Sequence, residues 1–586
     1  MGPLVRGRAN LSRLFDYSLR HLHPGVRSMR TVDWLVLAGS LLFIVSYGMW
    51  RGRGSNTTSS YLLAGKTMPW YAMALSIMAT QASAITFIST TGQAYVDGMR
   101  FVQFYYGLPI AMIFISAIAV PLFHRANVYT AYEYLEKRFD AKTRSLVSVI
   151  FLIQRGLAVG LALYAPAVVL TVILGWRDEV TTFIMGVLAI SYTVFGGIRA
   201  VTWTDFQQML IMFAGLFIAL GSAVYLLPSD ISFMDAVSIA GAAGKLNPVT
   251  LNFDWNDQYN LWSGLIGGMF VALAYFGCDQ SQVQRYLTGR SIAQSRISLL
   301  FNAVAKIPMQ FAILFIGAII FVFYTFEKPP LIFNPEELKK IQSPAAAGEY
   351  ETLQARYDSV FEKRRAVATQ IASAKAQGNL DAYRAAQREL DGVRKEAGAL
   401  VQKVNGVPGF NDTNYIFLSF VTRYMPAGVV GLILAAIFAA AMSTISAEIN
   451  SLATVSVIDI YQRHVSPGAS DRHYLMASRI ATAFWGMYAV LTSQFGKNLG
   501  SLIEAVNKVG SLFYGSLLGV FVLAFFFRRV GGTAAFLAVL TGEAVVFAVY
   551  RFTDVAFLWY NVIGCVVVIL SALVFSFRAK AAPIPT

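Results

Sequence analysis

Five small hydroxyls stand at helical spacing within one apolar stretch of membrane length, residues 435–461: Ser443, Thr444, Ser446, Ser451 and Thr454. Oxygens so placed can coordinate a small hard cation, or they can let helices pack closely through short side chains. Two cationic side chains, Arg155 and Lys306, lie inside other apolar runs. Charge at that depth is expensive unless it is partnered, hydrated or put to use. Either residue can meet the carboxylate of a solute, Arg155 as a bidentate fork; either can instead pair internally with Glu448 or Glu504. Gln103, Phe104, Tyr105 and Tyr106 suit the wall of the same cavity or an anchor at the bilayer interface.

The elements that must hold these groups are membrane helices. Of the 586 residues 56% are hydrophobic and 13% charged, about half the usual charged share of a globular chain. Apolar runs long enough for ~30 Å of hydrocarbon recur thirteen times, near 33–50, 69–95, 101–123, 145–174, 180–196, 205–227, 261–280, 299–325, 427–457, 475–494, 500–527, 533–550 and 557–577. The expectation is an all-α polytopic membrane protein. Basic residues such as Arg51, Arg125, Arg138, Arg199, Arg290, Arg463 and Arg529 fall in every second loop, whereas the alternate loops include the acidic stretch 230–257. By the positive-inside rule the basic loops are cytoplasmic. The chain then sits in a cell (inner) membrane with its N-terminus outside and its C-terminus in the cytoplasm.

This distribution accounts for the net charge of +15 without a nucleic-acid partner. No G-x-x-x-x-G-K-[ST] loop is present, so no nucleotide is expected. The two cysteines, Cys278 and Cys565, fall in spans and indicate no disulfide framework. All five histidines lie outside the spans, against an intramembrane haem or zinc site. With no nucleophile–base pair or metal cluster to be found, an enzyme is not expected.

Residues 1–28 carry five arginines and lack the apolar core of a signal peptide. The topology places them outside, against their charge; a natural start at Met29 and a basic tail are the two readings. A membrane core begins at 29 and runs to 330. Residues 331–408 break the apolar pattern with charged, Ala-rich, helically spaced sequence on either side of Gln377-Gly378-Asn379. An extracytoplasmic antiparallel helical hairpin is expected there, a spacer or a lid. The core resumes over 409–527, and 528–586 adds two peripheral helices and a short tail. Two spans are weak. Residues 79–84 (ATQASA) are small and polar, and 261–282 contains Gly267-Gly268 and a polar end. They lie five spans apart, the pattern of an inverted-repeat transporter whose helices unwind at the midplane.

Four pieces resemble the sodium/solute symporters: YLLAGKTMPWYAMALSIMATQASAITF, YTVFGGIRAVTWTDFQQ, CDQSQVQRYLTGRS and AAAMSTISAEINSLATVSVIDIY. They occur in that family's order over roughly residues 33–527, the hairpin excepted. The resemblance implies the leucine-transporter-type fold, a core of five plus five helices in inverted repeat with one helix before it and two after, working by sodium-driven alternating access. It also implies a sodium ion (Na+) held by the backbone oxygens of Ala79, Ala82 and Ala440 and the hydroxyls of Ser443 and Thr444. The chemistry agrees, because Ala440, Ser443 and Thr444 share one helix face and neutral oxygens hold sodium loosely enough to release it. Some members hold a second sodium. Asp205 and Ser446 match two of its ligands, while Ala447 replaces a hydroxyl; Asp205 can alternatively cap a helix N-terminus.

For the solute, the resemblance implies Tyr275 as an inner aromatic closure, Lys306 as a substrate-side lysine and Asn507 as an amide ligand. Ile85 and Thr86 stand where sugar-transporting relatives carry an acid and an amide, and Ala272 where they carry an asparagine. The expected solute contacts are Thr86, Gln103, Arg155, Tyr275, Lys306 and Asn507. The expected function is sodium-coupled import of a small polar or anionic organic solute through the lipid bilayer. A transporter-like sensor whose hairpin holds a partner, and a sodium/sugar symporter with a divergent sugar site, are the competing readings.

Overall fold

The computed structural model describes residues 29–174, 177–344, 346–374, 380–406, 410–494 and 502–578. The basic extension 1–28 and the Gln377-Gly378-Asn379 turn lie outside these. Among the described residues nine helices are long and apolar enough to cross a membrane, fewer than the thirteen runs of the sequence because several runs are broken or joined. The runs at 180–196 and 205–227 are two arms of Asp178–Tyr225, which turns at Gly197 with φ +55° and ψ −155°. A Cβ at Gly197 would collide with the Tyr61 carbonyl, so only glycine fits. The loop expected around Arg199 is therefore a one-residue break.

The two weak spans are broken helices. The first comprises Trp70–Gln81 and Ala84–Asp97, with Ala82 (φ −88°, ψ 67°) and Ser83 (φ −72°, ψ 170°) outside helical geometry. The second comprises Gly268–Gly277 and Gln280–Leu287. Its break falls at the polar end, at Cys278 and Asp279, where the Asp279 carboxylate accepts from Ser281 N at 2.9 Å and caps the second half. Gly267 and Gly268 do not unwind the chain. They border a π turn, Ser263–Gly267, and Gly268 lets the backbone lie against the Phe104 carbonyl.

The hydroxyl-rich helix Val429–Val455 runs through the centre, buried along nearly its whole length and packed on Asp178–Tyr225, Ala141–Leu174 and Thr31–Arg51. Its N-terminus is capped from another helix: Asp33 Oδ1 accepts from Gly428 N at 2.6 Å and Gly431 N at 3.0 Å. On the outside, Phe195, Phe217, Ile480, Leu491 and Phe552 point away from the protein, as side chains facing lipid must.

The 331–408 region holds two long helices, Ala347–Ala374 and Leu380–Asn405. Three ion pairs set their register: Glu349–Lys403 at 2.6 Å, Arg356–Glu396 at 2.7 Å and Lys363–Glu389 at 4.0 Å. Each step of seven residues up one helix meets a step of seven down the other, an antiparallel pairing on a heptad rhythm. Tyr357, Phe361, Leu390, Val393 and Leu400 form the seam between them. Arg364 donates to Tyr324 O at 2.5 Å, anchoring the hairpin on the end of the helix Ile292–Phe326. At its base Phe333 N donates to Asp412 Oδ2 at 2.7 Å, and Arg394 pairs with the same carboxylate at 3.2 Å.

Candidate functional site

The carbonyls of Ala79 and Thr80 lie in the last turn before the first break, where a helix has no N–H of its own to offer them. The hydroxyl-rich helix supplies donors instead. Ser443 Oγ lies 3.0 Å from Ala79 O and 2.9 Å from Ala440 O. Thr444 Oγ1 lies 3.1 Å from Thr80 O and 3.2 Å from Ala440 O. Four of the five expected sodium ligands thus come together across the break, and the fifth, Ala82, is the break residue itself. All are neutral hard oxygens. The rest of the hydroxyl ladder turns back on its own helix, Ser446 to Ser443 O at 3.1 Å, Ser451 to Glu448 O and Thr454 to Asn450 O, both at 2.8 Å. Those hydroxyls donate locally, and Thr454 Oγ1 also accepts from Gln284 Nε2 at 3.0 Å.

Beside this cluster opens a cavity walled by side chains from several of the core helices. Thr80 and Thr444 belong to its wall as well as to the oxygen cluster. The wall gathers Thr86, Arg155, Tyr275 and Asn507 from the expected solute contacts, together with Ile85 and Ala272, where the sequence departs from the sugar pattern.

Arg155 is not an open fork. Its Nη1 donates to Glu448 Oε1 at 2.7 Å, and its Nη2 donates to Asp279 Oδ2 and to Tyr514 OH, the latter at 2.8 Å. The internal pairing open to it on sequence is the one that forms. Asp279 and Tyr514 were not foreseen, nor were Gln81 and Gln154 in the wall. Glu448 carried a legible signal as a cavity residue, since it follows Thr444 by four positions and so shares its helix face.

Three expectations need correction. The Gln103 amide donates to Tyr259 O at 2.7 Å and Arg100 O at 3.2 Å and accepts from Thr250 N at 2.9 Å. It ties a loop in place and is absent from the cavity wall, its polar atoms being consumed by backbone. Lys306 stands behind the wall with Nζ 5.4 Å from the Tyr105 ring centroid and no hydrogen-bond partner among the described residues. It pairs with neither Glu448 nor Glu504, the latter being occupied by Gln258 at 2.9 Å and Tyr259 at 3.3 Å. Asp205 caps no N-terminus, for it lies within an arm of Asp178–Tyr225. Its Oδ2 instead accepts from Ser76 Oγ at 2.6 Å and Arg285 Nη2 at 3.0 Å.

The model of the sodium:solute symporter family matches residues 61–343 and 397–542. The chain belongs to this family. The stretch the match skips, 344–396, is most of the hairpin. The symporter is 28% identical over 550 residues to the sodium/sialic acid symporter NanT of Aliivibrio fischeri, covering 93% of this chain and 92% of that one. It is 25% identical to the sodium/glucose cotransporter of Vibrio parahaemolyticus, over 87% and 83% of the two chains. A solved substrate-bound, outward-open Na+-coupled sialic acid symporter aligns with a TM-score of 0.74 at 25% identity, covering 94% of this chain and 99% of that one. The protein is thus a multi-pass membrane symporter of the leucine-transporter-type fold, not an enzyme, and sodium is its coupling ion.

Proposed function

We propose that this symporter imports a small polar organic solute with one sodium ion by alternating access across a cell (inner) membrane. The observation that carries the reading is the approach of Ser443 Oγ to Ala79 O, 3.0 Å across the first break. Sodium bound among Ala79, Ala82, Ala440, Ser443 and Thr444 replaces these hydrogen bonds with ion contacts and ties the two helices together. The solute then docks against Thr86, Tyr275 and Asn507, next to Thr80 and Thr444, which serve both sites. Inward opening separates the helices and dissolves the cage, so sodium and solute leave on the same side. A membrane potential adds about 2.3 kcal/mol per charge per 100 mV to this import.

One sodium is the proposed stoichiometry. The Asp205 charge is already met by Arg285, and Ala447 offers no side-chain oxygen. Each broken helix is taken as one crossing and the arms about Gly197 as two, for thirteen proposed crossings in all. With the basic loops inside, the N-terminus and the hairpin are then outside and the C-terminus cytoplasmic. Uptake into proteoliposomes tests the reading: solute accumulation under an inward sodium gradient supports it, and equal accumulation in potassium refutes it.

A further inference from the structure

We infer that Glu448 is a built-in counter-anion, which fills the Arg155 fork where a solute carboxylate would otherwise bind and makes the cavity a receptor for an amine-bearing solute. This rests on the sodium-coupled reading of the same cavity and names the solute class. A guanidinium grips a carboxylate through two parallel N–H donors. Both ends of the Arg155 fork are taken, by Glu448 and by Asp279 with Tyr514, and only Nε is left without a partner. A solute carboxylate therefore has to displace a tethered one that is always present.

The charges leave a surplus of one carboxylate. Asp279 is fully used, since Oδ1 accepts from Ser281 N at 2.9 Å and Ser281 Oγ at 2.7 Å while Oδ2 faces Arg155 and Tyr514. Arg285 is committed to Asp205 at 3.0 Å, and Lys306 is no part of the wall. What remains is Glu448 Oε2, a buried oxygen of a residue in the cavity wall, with no hydrogen-bond partner among the described residues. The side-chain carbonyls of Gln81 and Gln154, from the same wall, are likewise unpartnered. Phe104, Tyr105 and Tyr275 supply aromatic faces around them. A carboxylate oxygen, amide oxygens and aromatic faces together are the surroundings an ammonium group prefers.

The test is the thermal unfolding of the full-length detergent-purified protein in sodium buffer, with probes matched on one skeleton. Galactosamine, galactose and galacturonate carry an amine, a hydroxyl and a carboxylate on one ring; alaninamide and lactate repeat the contrast on a short chain. Galactosamine or alaninamide raises the unfolding temperature of the native protein, while galacturonate and lactate do not. In Glu448→Gln the amine response weakens by roughly tenfold or more, the scale of a lost desolvated charge-assisted contact, and a carboxylate probe gains a response as Arg155 is released. The inference is overturned if native protein responds to carboxylate probes as well as to amines, or to no amine probe at tens of millimolar. It is also overturned if Glu448→Gln abolishes the sodium response and leaves the probe order unchanged, for then the carboxylate serves the ion. The sodium response of the solute-free protein is read separately, so failure of the sodium reading is distinguishable. Should Glu448→Gln not fold, the native probe series decides alone.

Discussion

Ser443 and Ala79, separated by 364 positions in sequence, meet at 3.0 Å where one helix unwinds and another passes it intact. The contact is a hydrogen bond between groups that would both turn toward a bound cation. It makes the ion site and the helix–helix joint one object.

Replacing Ser443 and Thr444 together by alanine removes the joint's hydroxyls. Each lost hydrogen bond costs about 1 kcal/mol, so the variant folds, with a modestly lower unfolding temperature in potassium. Sodium binding to the native state raises the midpoint by mass action. That rise is expected in native protein and absent from the double variant, along with sodium-driven uptake. Thermal scans in sodium and potassium chloride check it, and an undiminished sodium rise in the variant contradicts the site.

Asp205 separates stability from stoichiometry. Asp205→Asn leaves Arg285 buried without its carboxylate, an uncompensated charge costing about 3–5 kcal/mol. A large drop in unfolding temperature is expected. The sodium dependence of uptake in native protein is expected to be hyperbolic, and a sigmoidal curve would restore the second sodium at Asp205 and Ser446.

The cap from Asp33 acts at a distance. Asp33→Ala uncaps the helix that carries Ser443 and is expected to cost about 0.5–2 kcal/mol. Asp33→Asn keeps an acceptor oxygen and should recover most of the loss. Chemical denaturation of the two variants side by side measures the difference, and equal destabilisation would remove the capping role.

Gly197→Ala is expected to be among the most damaging single-methyl additions. Its φ of +55° with ψ near −155° belongs to glycine alone, worth about 1–3 kcal/mol of backbone strain, before the collision with Tyr61 O. Folded yield by size-exclusion chromatography reports it; a normal yield would mean that the turn relaxes.

Local chemistry was more readable than long-range partnership. Helical spacing and the small polar residues at 79–84 are properties of single segments and singled out the two stretches, while the choice of Ser443 and Thr444 among five hydroxyls came from the resemblance to the sodium/solute symporters. For Arg155 the sequence offered Glu448 only as one of two acids, and Asp279, 124 positions away, not at all, because only the fold decides which acid each cation meets. Gln103 misled for a related reason: its partners are backbone atoms of Arg100, Thr250 and Tyr259, which carry no side-chain signature. The Gly197 break was hidden because Arg199 beside it suggested a loop, whereas positive φ at one glycine reverses the chain without one. The second break sat with the residue that caps the next helix, Asp279, rather than with the paired glycines.

The hairpin's two ends leave the membrane core side by side, joined by the hydrogen bond from Phe333 N to Asp412. An insertion with coincident ends behaves as a cassette. It can lengthen, shorten or vanish between the helices Ile292–Phe326 and Val429–Val455 without changing the order in which they are threaded. The arm thereby offers a place to graft a tag or a rigid fiducial away from the oxygen cluster at Ser443.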